Sequence, residues 1–155
     1  MQENIADLII DKIWVGNYYA SKDVSFIANN HIQVIVNCTK DLINLFDSVI
    51  EYYRVPIDDN LQIEEIKNMY YNLPDVVEYI YKKVVLENKN VLIHCAAGRQ
   101  RSACVVVAYL VGISSIPLNE CIDYVKTRRP SAFFLNINFY ESLKQFCLNI
   151  NKKIN

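Results

Sequence analysis

Apolar residues along this chain fall into short β-branched runs, separated by stretches where they recur every three or four positions. The runs predict strands at Leu8–Ile10, Ile13–Val15, Ile32–Cys38, residues 51–57 and Val91–His94. The run HIQVIVNCT has almost no polar face, as expected of a strand covered on both sides. Helical spacing dominates Leu61–Glu87, through Ile63, Ile66, Met69, Leu73, Val76 and Ile80, and Pro74 should break or restart it. Shorter helices are predicted from a Ser21 cap to about Asn29 and from Ser102 to about Val111. Another follows a Ser115 cap, with Pro117 early and Pro130 beyond its end, and the last runs from about Asn136 to Asn149.

Strands alternating with helices define an α/β domain. Its core is a mostly parallel twisted sheet of about four to five strands flanked by helices on both faces. In such sheets sites form at the carboxyl ends of strands, beside helix N-termini. The length, 155 residues, fits one domain over 1–155. The net charge of −1 gives no field that would draw nucleic acid, so no nucleic-acid partner is expected. Five irregularly spaced cysteines and two histidines argue against a metal site, and no cofactor is implied. The first eleven residues lack a basic, then apolar, leader pattern, and no apolar run is long enough to span a bilayer. The final NKKIN carries no cysteine for a lipid anchor. The expectation is a soluble protein of the cytoplasm or nucleus with no membrane anchor.

One stretch changes this picture. VLIHCAAGRQRSACVVVAYL joins a buried strand to a buried helix through a loop that carries a thiol, a glycine and two arginines. Cys95 and Arg101 are separated by Ala96, Ala97, Gly98, Arg99 and Gln100. A loop of small residues running into a helix can turn several backbone N–H groups inward, and with the positive helix end these make an anion site. Arg101 adds a planar fork matched to two phosphate oxygens. Such surroundings favour thiolate over thiol. A phosphate seated there would have a nucleophilic sulfur beneath its phosphorus, which is phosphoryl transfer through a phosphocysteine. The leaving alkoxide then needs a proton. The loop VPIDDN offers Asp59 as general acid and base, with Asp58 as the alternative. Ser102 is positioned to donate a hydrogen bond to Cys95, and His94 to orient the loop from behind. A bare Cys-x5-Arg is a weak motif; His94, Gly98 and Ser102, between a strand and a helix, make it specific.

These residues resemble the cysteine-dependent protein phosphatases. HCAAGRQRS matches their His-Cys-x5-Arg-Ser/Thr loop, and the Ala97–Gly98 pair is similar to the small dual-specificity branch. KIWVGNYYAS, VIVNCT, EYYRVPIDDN and RRPSAFFLNINFYESLKQF resemble further segments of that branch, so the likeness covers nearly the whole chain. It implies Cys95 as nucleophile, Arg101 as phosphate binder, Asp59 as acid and base, Ser102 as thiolate support, and Asn136 as a buttress of the phosphate loop. Phosphorylated proteins are the implied substrates, on tyrosine and on serine or threonine, because the chain leaves no room for the pocket-deepening segment of the tyrosine-specific branch. Three positions depart from the pattern. Gln100 stands where serine is frequent, and Leu135 where proline usually precedes the asparagine. Arg99 replaces a commonly apolar residue. It either points outward or supplies a second cation suited to a phosphoinositide, inositol phosphate or RNA 5′-phosphate. A non-catalytic phosphate-binding module is the remaining alternative.

Outside the loop, Cys38 and Cys104 are expected near Cys95, as inert core thiols or as partners for an oxidised Cys95. Cys121, Cys147 and the tyrosines at 70, 71, 79 and 81 read as packing. Arg128 and Arg129 read as a basic rim or a solvated helix end, and His31 as a surface turn residue.

Overall fold

The computed structural model describes residues 3–154; Met1, Gln2 and Asn155, which carry part of the N-terminal and NKKIN readings above, lie outside them. Five strands form one sheet in the order β1-β2-β5-β3-β4. They are β1 Ala6–Ile10, β2 Ile13–Gly16, β3 Ile32–Asn37, β4 Glu51–Arg54 and β5 Asn90–His94. The β1–β2 hairpin is antiparallel and every other pairing is parallel. β5 lies at the centre, between β2 and β3, so its carboxyl end opens onto the middle of the sheet's edge.

The period-two alternation sorts the core. Val34, Val36, Val91 and Ile93 face one side, where α3 Ile63–Tyr81, α4 Arg101–Ile113, α5 Leu118–Arg128 and α6 Tyr140–Ile154 pack. Ile35 and Leu92 face the other, beneath the short helices α1 Tyr18–Lys22 and α2 Val24–Asn29. α4 is apolar nearly all round and is buried from Ser102 to Leu110, which fixes its N-terminus against the end of β5.

The structure corrects several expected boundaries. α3 runs unbroken through Pro74. The proline sits on the exposed side, while Met69, Leu73, Val76 and Ile80 are buried on either side of it. Packing of that stripe overrides a local cost of about 3 kcal/mol. A π-helical turn at Lys82–Leu86 ends the element. Asp23, not Ser21, caps α2: its carboxylate accepts from Phe26 N at 2.9 Å, while Ser21 is buried in α1 and donates to Tyr18 O at 2.7 Å. Ser115 caps nothing; Pro117 occupies the N-cap position of α5, and its carbonyl accepts from Glu120 N and Cys121 N. β4 stops at Arg54, because Pro56 has no N–H to continue the ladder. α6 begins at Tyr140 rather than near Asn136. Phe133 and Leu135 adopt left-handed φ of 58° and 71°, and the residues between them and the helix are drawn toward the loop after β5.

Candidate active site

Cys95 follows β5 directly and is 2% exposed. The next five residues wrap back to α4, and each of their carbonyls is bonded away from the centre of the turn. Ala96 O accepts from Tyr18 N, Arg99 O from Phe133 N and Gln100 O from Cys104 N, at 3.0, 2.9 and 2.8 Å. Ala97 O and Gly98 O accept from the Arg129 guanidinium, at 3.4 and 2.7 Å. Among the described residues the N–H groups of 96–100 donate to no other backbone or side-chain group. The loop thus spends its acceptors outward and keeps its donors for whatever lies inside it, at the N-terminus of α4.

Gly98 is required for this path. Its φ is +69°, and a Cβ there would meet the backbone of Gly16 at 2.6 Å and Arg129 at 2.8 Å. The loop is pressed against the end of β2 on one side and a buried cation on the other.

Arg101 begins α4, and its Nη1 donates to Ile57 O at 2.9 Å, two residues before Asp59. Among the described residues its Nε is buried without a partner, which leaves a donor of the fork unused. Ser102 Oγ lies 3.2 Å from Cys95 Sγ. His94 is fully buried, and its Nδ1–H donates to Cys95 O at 3.1 Å. A carbonyl only accepts, so this contact fixes the tautomer. Burial, with Arg54 and Arg101 adding to it, pushes the His94 pKa down to about 4. His94 is therefore a neutral strut and no base.

That displacement carries a testable pH dependence. An unfolded histidine titrates near 6.5. Between about 6.5 and 4 the unfolded chain binds a proton that the native chain refuses. Stability at pH 7 is therefore lost as the pH falls through that window, at up to about 1.4 kcal/mol per pH unit. Urea unfolding at pH 7.0 and 4.5 checks this: His94→Gln should narrow the difference between the two pH values even if it lowers stability at both.

The two aspartates are separated by their partners. Asp58 faces Lys40 at 3.2 Å, and its N–H donates to the buried Glu65 at 3.0 Å. Lys40 also pairs with Glu65, at 2.5 Å. Among the described residues Asp59 pairs with no lysine; its Oδ1 accepts from Asn138 Nδ2 at 2.9 Å. Asn136, expected as the buttress, is exposed. Its link to the phosphate loop runs through its carbonyl, which accepts from Gln100 Nε2 at 2.7 Å. Gln100 Oε1 accepts in turn from Asn138 N at 3.0 Å. The side chain that reaches the acid loop belongs to Asn138, two positions after the expected asparagine.

Arg129 corrects the sequence reading most. It is neither rim nor solvated helix end but fully buried. Besides the two loop carbonyls, it donates to Asn4 O at 3.0 Å, Asp7 Oδ2 at 2.7 Å and Glu3 Oε1 at 3.2 Å. Arg99 points outward, half exposed, and pairs with Glu3 at 2.7 Å. The Arg99 guanidinium, with Arg129 assisting, holds the Glu3 carboxyl below its ordinary range. No nearby sequence signal marks Arg129; its partners lie 31 or more residues away.

Cys38 and Cys104 are buried free thiols. Burial pushes both upward, with Cys95 adding to the effect at Cys38, which disfavours thiolate at either position. Among the described residues no group of three or more His, Cys, Asp and Glu could hold a metal ion, and no helix is long and apolar enough to cross a membrane.

A thiol beside a loop of unused N–H groups, an arginine fork and a loop-borne carboxyl are the parts that the resemblance to cysteine-dependent phosphatases calls for. The chain belongs to the dual specificity phosphatase catalytic-domain family, whose model matches residues 13–148. Among curated relatives, human dual specificity protein phosphatase 9 is 32% identical over 140 residues, 89% of this chain and 35% of that protein. Human dual specificity protein phosphatase 21 is 29% identical over 135 residues, 87% of this chain and 68% of that protein. The chain thus spans about a third of the first relative's length, and 13% of the Drosophila melanogaster protein phosphatase Slingshot. The crystal structure of human DUSP28 superposes with a TM-score of 0.83 at 20% identity, covering 97% of each chain, which establishes a shared fold.

Proposed function

We propose that residues 1–155 form one catalytic domain that hydrolyses phosphate monoesters on proteins, at phosphotyrosine and at phosphoserine or phosphothreonine. The observation that carries this is the loop of Cys95 to Arg101, with its carbonyls bonded outward and Ser102 Oγ 3.2 Å from the sulfur. The Cys95 thiolate attacks phosphorus while the bond to the leaving oxygen breaks and Asp59 gives that oxygen its proton. The phosphoryl group then sits on sulfur and the free hydroxyl departs. Water attacks the phosphocysteine, gives a proton to the Asp59 carboxylate, and the S–P bond breaks. Ser102 donates to the returning thiolate. The loop N–H groups and Arg101 bear the transition-state charge. No metal enters the scheme.

Two further features support this reading. Arg99 is turned away and neutralised by Glu3, so the pocket carries one arginine rather than the pair that a polyphosphorylated inositol would favour. The five cysteines are free, which fits a reducing compartment, the cytoplasm or nucleus.

The test is hydrolysis of a panel: a phosphotyrosine peptide, a phosphothreonine peptide, a phosphoinositide headgroup and a 5′-triphosphorylated RNA. Turnover confined to the last two would overturn the protein-substrate reading. Asp59→Ala should lower kcat/KM roughly 10²- to 10³-fold on the phosphothreonine peptide, whose leaving group needs a proton. It should change it little on a dinitrophenyl phosphate, whose leaving group does not. If Asp58→Ala produces that pattern instead, the acid is one residue earlier.

A further inference from the structure

The chain departs from its family's pattern at Gln100, and the structure gives that glutamine a specific task. It stands at the N-cap position of α4, yet its side chain makes no cap hydrogen bond. It reaches instead across to the turn before α6, donating to Asn136 O and accepting from Asn138 N at 2.7 and 3.0 Å. This double contact fixes Asn138 in register with the phosphate loop. Asn138 in turn donates from Nδ2 to Asp59 Oδ1 at 2.9 Å. One unbroken chain of hydrogen bonds therefore runs from the phosphate loop to the carboxyl on the opposite loop.

We propose that Asn138, held by Gln100, is the positioning residue that aims the general acid. The inference rests on the assignment of Asp59 as that acid. In a protonated carboxyl the carbonyl oxygen is the better acceptor, so an amide N–H favours the oxygen without the proton. The contact therefore reserves Oδ1 as acceptor and leaves the transferable proton on Oδ2, the oxygen free to meet the leaving group. It also limits rotation of an otherwise exposed side chain. A misplacement of about 1 Å in a proton donor can cost up to about 10²-fold.

The position can be probed without disturbing the backbone link to Gln100. Asn138→Asp is isosteric, keeps the main-chain N–H and replaces the donor with an acceptor; Asn138→Ala removes the side chain. Each should lower kcat/KM about tenfold or more on a phosphothreonine peptide and less than twofold on a dinitrophenyl phosphate. Affinity for inorganic phosphate and the thermal midpoint, measured on the same preparations, should match wild type. Each change combined with Asp59→Ala should add nothing further, since both act through one proton.

Equal losses on both substrates would overturn the proposal, because a general disturbance of the loop does not read leaving-group basicity. A gain on the phosphothreonine peptide would also overturn it, since the contact would then restrain the acid rather than aim it. If Asp59→Ala is sensitive to the leaving group and the Asn138 variants are not, the acid stands and the positioning role falls. If Asp59→Ala is itself insensitive, the acid assignment fails and this inference goes with it.

Discussion

Cys95→Ser is expected to lower turnover of every phosphomonoester by roughly 10⁴-fold or more while leaving affinity for inorganic phosphate within about threefold. The asymmetry comes from the division of labour in the site. In the proposed mechanism binding is the work of the loop N–H groups and Arg101, whose own contacts do not involve the sulfur. Bond making is the work of the sulfur alone. A serine hydroxyl at this position has no effective base to take its proton: His94 is fully buried, and burial lowers its pKa to about 4, which makes its free Nε2 a weak base. The measurement pairs steady-state hydrolysis of an aryl phosphate with calorimetric titration of phosphate. Residual activity above about one per cent would remove the phosphocysteine. Loss of phosphate affinity along with turnover would mean that the thiolate shapes the loop, which the outward bonding of every loop carbonyl argues against.

The setting of Cys95 was legible in the sequence because everything that defines it is local. The strand Val91–His94, the small-residue loop and the apolar helix after it occupy twenty consecutive residues, and periodicity alone separates them. What separates Asp59, the preferred acid, from Asp58 in space was not legible. It depends on Lys40 and Glu65, which take Asp58, and on Asn138, which meets Asp59 from 79 residues away. The start of α6 was misjudged for a related reason. Residues 136–138 share a helical periodicity with the helix from Tyr140 onward, but their backbone groups are claimed by Gln100, a contact between distant parts of the chain. Pro74 shows the converse: a strong local signal lost to a buried stripe that continues on both sides of it.

The phosphate loop is accordingly a local motif held by non-local supports. The five carbonyls are restrained from four places: the start of α1, the end of α5 (which holds two), the turn after it and the first turn of α4. This explains why small residues suffice at 96–98. Their side chains make no recognition contacts in the mechanism; the peptide groups do, and they must be turned the right way before a phosphate arrives.

Arg129 bears most of that restraint, and its replacement is the second large effect expected. It is 0% exposed and donates to two loop carbonyls, to Asn4 O, and to the carboxylates of Asp7 and Glu3. Arg129→Met keeps the length of the stem and removes every donor. Asp7 then loses its cation, Glu3 keeps only the half-exposed Arg99, and Ala97 O and Gly98 O lose their partners. Breaking one side of a buried ion pair costs about 3–5 kcal/mol, or roughly 10 °C in the midpoint of a domain this size. The loop peptides, no longer held outward, should also cut kcat/KM by about 10²-fold under conditions where the variant remains folded. Arg129→Lys separates the two effects. A lysine returns the charge but presents a single ammonium, which cannot span acceptors on the loop and on the N-terminal segment together. It should recover part of the stability and little of the activity. Urea unfolding and phosphate titration on the three proteins give the answer. If Arg129→Met is as stable as wild type and binds phosphate as tightly, the buried network neither holds the fold nor orients the loop.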